Sequence, residues 1–214
     1  LNAVLLAGEL IQGGDLEEGD LSKYSNMIVK ATRQMAELVR NMLDVNRMDT
    51  GRMELDLQAV DLAKLAAEVE KDYWRRATAK FIDLELSGEG PCVVLADPVH
   101  TQGILENFVS NAVKFTRPDP QGSHIWLRFG TTEDMGWIEV QDQGPGFTEE
   151  DKQKAFQRFT PLSAKPTAGE GSSGLGLSIV KSLATAMGGK VELESEVGKG
   201  ATLRLYLPRL DAAP

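Results

Sequence analysis

The stretch Asp142-Gln143-Gly144-Pro145-Gly146-Phe147 decides how this chain reads. It follows the alternating apolar run Trp137-Ile138-Glu139-Val140 and ends it abruptly, so an acid and two glycines stand at a predicted strand end. Glycines there allow positive φ and let another group approach the backbone, while a carboxylate accepts a hydrogen bond from an amino group. By itself Asp-x-Gly-x-Gly is short, and it fits an ordinary polar strand-to-helix turn as well as a binding loop. Three further stretches bear on the choice. They are Asn107-Phe108-Val109-Ser110-Asn111-Ala112-Val113-Lys114-Phe115-Thr116 upstream, and Gly169-Glu170-Gly171-Ser172-Ser173-Gly174-Leu175-Gly176-Leu177 and Gly198-Lys199-Gly200-Ala201-Thr202 downstream.

Composition narrows the classes. A chain of 214 residues holds one ordinary domain, or a moderate domain plus a small appendage. A hydrophobic fraction of 42% beside 26% charged residues fits a soluble globular protein. The 23 basic and 32 acidic residues give a net charge of -9, which argues against nucleic acid or an anionic membrane as partner. A nucleotide would have to be held locally. No run of about eighteen apolar residues and no basic start before an apolar run is visible, so neither a membrane span nor a signal peptide is expected. The single Cys92 excludes an internal disulfide and suits a reducing compartment; in Pro91-Cys92-Val93-Val94-Leu95 it reads as a buried strand thiol.

Along the chain, Leu1 to about Gln12 is helix-prone and Gly13-Gly14-Asp15 stops it. From Leu21 the apolar positions Tyr24, Ile28, Ala31, Met35, Leu38, Met42 and Val45 come in steps of three and four, as in a coiled-coil seam. Asp49-Thr50-Gly51-Arg52 breaks that pattern, and Met53-Glu54-Leu55-Asp56-Leu57 alternates as a strand does, which places the domain boundary here. Asp61 caps a predicted helix to about Thr78, and Asp97-Pro98 starts another to about Phe115. Strands are predicted at Phe81 to Leu86, Cys92 to Leu95, His124 to Thr131, Gly136 to Asp142, Lys190 to Ser195 and Ala201 to Leu207. A short helix is expected near Glu149 to Phe156, a mobile polar segment from Thr160 to Ser173, and a helix from Gly174 to Met187. Asn107 and Asn111 are four apart on the predicted helix and share a face, and two amides on an otherwise apolar helix need partners.

In this order the four stretches resemble the N, G1, G2 and G3 boxes of the ATP-binding domain of sensor histidine kinases, over nearly the whole chain. The resemblance implies an α+β fold. Residues 1–52 would form part of a helical hairpin that pairs into a dimeric four-helix bundle, and residues 53–210 a Bergerat-type α/β sandwich with a mixed, mainly antiparallel sheet and three helices, with 211–214 as a tail. Asn111 would coordinate a magnesium ion that bridges the nucleotide phosphates, oxygen being the ligand that hard cation takes. Lys114 would face the phosphates or ribose, and Phe115 would lie near the nucleotide. Related ATPases such as type II topoisomerases carry a water-activating glutamate where Asn107 stands. An amide cannot take up that proton, so transfer to a protein nucleophile is expected in place of rapid hydrolysis. Glu106, on a different helix face, is the residual candidate for a base.

The same resemblance gives Asp142 a hydrogen bond from the adenine amino group, with Gly144 and Gly146 letting the loop pass close to the base. Gly171, Gly174, Leu175 and Gly176 lie where a loop feeds a helix whose first amides receive phosphate oxygens. Thr202 would close the adenine side with its hydroxyl. Phe156-Gln157-Arg158-Phe159 resembles the F box that anchors a lid over ATP. Pro161 stands where many members have an arginine, which leaves Arg158 and Lys165 as substitutes. Leu1-Asn2-Ala3-Val4 resembles the residues just past the family's acceptor-histidine segment, so the acceptor is expected just upstream of Leu1. His100 and His124 read as ordinary surface or satisfied histidines.

The implied function is a kinase core that passes the ATP terminal phosphate to that histidine and thence to a response regulator receiver domain. It would work as a cytoplasmic homodimer without direct membrane contact, an anchor upstream being compatible. Two alternatives remain at this point: an acceptor-less scaffold that binds a partner through the hairpin, and an anti-sigma-type serine kinase.

Overall fold

Apolar side chains repeating at steps of three and four bury one stripe of a helix. The first part of the chain folds as two helices, α1 (Asn2–Gly13) and α2 (Asp20–Asp49), which lie against each other while Leu5, Leu6 and Leu10 of α1 stay exposed. The computed structural model describes residues 2–13, 19–49, 53–119, 122–158, 160, 162–164, 166–167 and 174–210. The chain divides into two compact units, Leu1–Met53 and Glu54–Pro214. Of the expected seam, Tyr24, Ile28, Ala31 and Met35 are half-buried, whereas Leu21 and Met42 are exposed at 56% and 70%. The side chains of Leu38 and Val45 lie outside the described residues.

The strand expected at Met53 to Leu57 is not there. Those residues are irregular, and β1 is Gln58–Asp61, antiparallel to Val93–Ala96 with Gln58 opposite Ala96. The partner strand ends at Ala96, and the next residue, Asp97, caps a helix and gives its carbonyl to the Thr101 N–H, so the ladder stops there. The Asp97 carboxylate accepts the Asp56 N–H instead, at 3.0 Å. Asp61 then caps α3 (Leu62–Thr78) by accepting the Ala63 N–H at 3.0 Å, and Leu62, Leu65, Ala66 and Val69 bury its inner face. Phe81 turns the chain with a left-handed φ of 58°, so β2 (Ile82–Gly88) begins one residue later than expected. After β3 (Val93–Ala96), α4 runs Pro98–Phe115 as the Asp97-Pro98 pair predicts, burying Ile104, Leu105, Phe108, Val109 and Ala112.

The remaining elements are β4 (Ser123–Thr131), β5 (Met135–Asp142), α5 (Glu149–Lys154), α6 (Gly176–Ala186), β6 (Lys190–Ser195) and β7 (Ala201–Pro208). The main sheet has the order β2-β4-β5-β7-β6, with β2 and β4 parallel and the other pairs antiparallel, while β1 and β3 form a separate two-stranded sheet. The mixed, mainly antiparallel sheet is therefore present, with three long helices and the short α5. Ile125, Leu127, Ile138, Val140, Leu203 and Leu205 line one sheet face, against which α3, α4 and α6 pack. On the other face the buried Glu139 is paired with Arg128 at 2.7 Å and with Arg204, which compensates the loss of water around its charge. Cys92 is buried and donates to the Gly130 carbonyl at 3.2 Å; burial pushes its thiol pKa up, away from reactivity. Among the described residues no helix is long and apolar enough to cross a membrane.

The two sheets meet at Gly136, where a Cβ would lie 2.4 Å from Val94 Cγ1 and 2.9 Å from Cys92 Sγ. Gly136→Ala should lower stability by about 1–3 kcal/mol through overpacking, read as a lower urea midpoint at unchanged m-value. An unchanged midpoint would show that this contact yields freely.

Candidate functional site

Successive strand residues face opposite ways, so Asp142 at the end of β5 shares the helix-facing side with the buried Ile138 and Val140. Its Oδ1 accepts the Gly144 N–H at 2.7 Å. Burial pushes the carboxyl up to a pKa of about 6, while the N–H groups of Gly144 and Ala201 pull the other way. The loop beyond it is clamped by the turn between β6 and β7. Gly200, at φ 88°, passes so close that a Cβ would lie 1.8 Å from the Asp142 carbonyl oxygen, and one on Gly146 would lie 2.2 Å from that of Glu196. The Gly198 N–H donates to Pro145 O at 2.8 Å. The Phe147 N–H donates to Ser195 Oγ at 2.9 Å, and that hydroxyl donates to Gly200 O at 2.6 Å. Gln143 Oε1 accepts the His124 N–H at 2.8 Å and ties the loop to β4.

On α4, Asn111 Nδ2 donates to Asn107 Oδ1 at 3.0 Å, a bond that leaves the Asn111 carbonyl oxygen uninvolved. Gly176, the first residue of α6, packs on that pair, since a Cβ there would lie 2.5 Å from Asn107 Nδ2. Gly174 has φ 66° and Leu175 is the N-cap, where no side chain caps the helix. Glu106 accepts from Gln102 Nε2 at 2.8 Å. The Lys114 carbonyl accepts the N–H and the hydroxyl of Thr167, at 3.0 and 2.9 Å. Lys80 Nζ donates to Val113 O at 3.0 Å and to Thr167 Oγ1 at 3.1 Å, so the segment expected to form the lid is tied to the C-terminal end of α4. Phe115 lines an open cleft of about 310 Å³ with Pro145, Gly146, Thr148 and Ser163.

The other tie of that segment is Asp151, 7% exposed, which accepts the Ser163 hydroxyl, the Ser163 N–H at 3.1 Å and the Thr148 hydroxyl at 2.9 Å. The Ser163 hydroxyl is the main cause holding its carboxyl below the usual range. Phe156 is half-buried with Lys181 Nζ 5.7 Å from its ring centre, and Arg158 is exposed. Phe159, Pro161, Lys165 and Gly171 lie outside the described residues.

Thr202 is paired with Gln141 and so lies on the face opposite to Asp142; the neighbour of Asp142 across β7 is Ala201, because strand faces alternate. Asp151, Ser163, Thr167, Lys80 and Ser195 were not anticipated. Thr148-x-x-Asp151 carries a capping-box spacing that draws attention to Asp151. The long-range partners have no sequence signal.

The donor set fits a magnesium ion shared with phosphates. With its amide nitrogen committed to Asn107, Asn111 offers its carbonyl oxygen, and that cation takes few protein ligands. Among the described residues, Asp83, Glu85 and His124 form the one cluster of three histidine or acidic ligands, and it includes neither Asn107, Asn111 nor Asp142.

Residues 96–211 match the family described as histidine kinase-, DNA gyrase B- and HSP90-like ATPase, and the chain belongs to that family. It is 32% identical over 190 residues to the circadian input-output histidine kinase CikA of Synechococcus elongatus, covering 87% of this chain and 25% of that protein. It is 29% identical over 202 residues to the sensor protein SrrB of Staphylococcus aureus, covering 94% of this chain and 34% of that one. The chain thus spans about a quarter to a third of these relatives. Full-length ShkA in complex with AMPPNP is similar in structure, with a TM-score of 0.76 at 30% identity over 100% of this chain and 44% of that one.

A raised carboxyl pKa means that the folded state favours the protonated form. Its contribution to stability is full below the unfolded value near 3.8 and is lost as pH rises through about 6. Asp142→Asn keeps an acceptor for the Gly144 N–H without the charge. It should therefore be more stable than the parent at neutral pH by about 1–2 kcal/mol, allowing for partial solvent access, and the gain should vanish below about pH 4. Urea titrations across pH test this; a pH-independent difference would contradict it.

Proposed function

We propose that the Glu54–Pro214 unit binds ATP with magnesium and delivers the terminal phosphoryl group to a histidine carried upstream of Leu1. The observation that carries this reading is the Asp142 carboxyl, desolvated to a pKa of about 6 at a strand end and fixed by the Gly144 and Gly200 contacts. A carboxylate so placed is worth most when a donor such as the adenine amino group arrives.

Asn111 would hold the cation, which when bound neutralises charge on the phosphates. The amides at the start of α6, beside Gly174 and Leu175, would receive phosphate oxygens. Asn107, bonded to Asn111 and packed on Gly176, would keep both elements in register, and as an amide it offers no base for attack by water. Phe115 and the segment tied by Asp151 and Thr167 would cover the nucleotide. Transfer to an imidazole nitrogen then needs positioning and charge neutralisation above all.

The exposed Leu21 and Met42 support pairing of the Leu1–Met53 unit with a second copy as a four-helix bundle. From the acceptor histidine the phosphoryl group would pass to the receiver domain of a response regulator, on the cytoplasmic side.

A chain extended upstream through its histidine should take label from terminally labelled ATP, in a linkage that acid hydrolyses. Asn111→Ala should slow labelling by about tenfold or more, the usual effect of removing a metal contact. Acid-stable label would move the acceptor to serine, and absence of label would end the kinase reading.

A further inference from the structure

Asp97 stands where three segments meet. Its Oδ1 accepts the His100 N–H at 3.0 Å and caps α4, while its Oδ2 accepts the Asp56 N–H at 3.0 Å, from the segment that arrives from the helical unit. Its own N–H donates to Sδ of Met187, the C-cap residue of α6, at 3.4 Å, and its carbonyl accepts the Thr101 hydroxyl at 2.6 Å. The residue is 6% exposed. Burial works to raise its pKa, but the N–H groups of His100 and Asp56 and the nearby His100 ring hold the carboxyl below its usual range, so both oxygens are acceptors at neutral pH.

An N-cap needs one acceptor oxygen, and here the second is used to hold the incoming chain. Beyond Asp56 the chain pairs as β1 along β3, and β3 runs through Asp97 directly into the helix that carries Asn107 and Asn111. The second helix behaves alike. It starts at Gly176 against Asn107 and ends at Met187 against Asp97. Both helices that build the nucleotide site therefore have their far ends on one residue, and that residue also grips the linker.

We propose that Asp97 is a positioning residue coupling the linker at residues 53–57 to the nucleotide site. It rests on the nucleotide reading above. With the Asp56 bond made, α4 and α6 are held in the register that presents Asn107 and Asn111. By linkage, occupancy at that end strengthens the linker bond at this one. A pull on the linker from the helical unit breaks the bond and loosens the site.

Hydrogen exchange read by mass spectrometry on the whole chain, with and without magnesium and a non-hydrolysable ATP analogue, tests this. In Asp97→Asn the side-chain carbonyl still caps His100, but an amide NH2 faces the Asp56 N–H, which needs an acceptor. Asp56→Pro removes the donor from the other side and serves if the first variant does not fold. In the parent chain the analogue should slow exchange across residues 53–57 by about fivefold or more. Both variants should bind the analogue and show no slowing there. Parent protein that binds with no change at 53–57, or a change that survives in the variants, overturns the coupling alone. Parent protein that does not bind, in a calorimetric titration of the same sample, overturns the nucleotide reading and the coupling with it.

Discussion

The site depends on the approach of Gly200 to the Asp142 carbonyl. No residue with a side chain fits there, because a Cβ would lie 1.8 Å from the oxygen. The same glycine accepts the Ser195 hydroxyl that holds the Phe147 N–H, and its neighbour Ala201 reaches the Asp142 carboxyl. A backbone-to-backbone contact of this kind removes solvent from the strand end. It also leaves the loop of Gly144 and Gly146 one path away from the sheet.

Desolvation is what gives the loop its chemistry. A carboxyl at about pKa 6 is costly to ionise where it stands and a strong acceptor for an arriving N–H donor. The fold tolerates it because the surrounding core is well supplied with buried apolar residues and the other buried carboxylates are satisfied: Glu139 by two arginines, Asp97 by two N–H groups, Asp151 by Thr148 and Ser163. Asp142 accepts N–H groups as well, from Gly144 and Ala201, but burial outweighs them and its pKa is raised. A costly carboxyl kept at a candidate binding position is the usual trade between stability and function.

Much of this was legible in local chemistry. Asp97-Pro98 fixes where α4 begins, and the period of its apolar residues carries it to Phe115. Alternation located β4, β5, β6 and β7 to within a residue or so, because each has one face on the core. The alternation of Met53 to Leu57 misled, since a strand also needs a partner, and β3 stops at a helix cap. Thr202 misled for a related reason. Its place after Gly200 is visible, but which face it takes is set by register with Gln141. The ties of Asp151 to Ser163 and of Thr167 to Lys80 and Lys114 join residues distant in the chain through polar atoms that leave no periodic trace.

An adenine nucleotide recognised around the Asp142 carboxylate should bind in step with the ionisation of that group. The direct measurement is calorimetric titration of this chain with a non-hydrolysable ATP analogue and magnesium across pH, beside Asp142→Ala. Affinity should be flat above about pH 7 and fall by about tenfold per pH unit well below the carboxyl pKa. The variant should bind about 10- to 100-fold more weakly at neutral pH, as for loss of a charged hydrogen bond, and should lack that pH dependence. Equal affinity and an equal pH profile in the two proteins would contradict it.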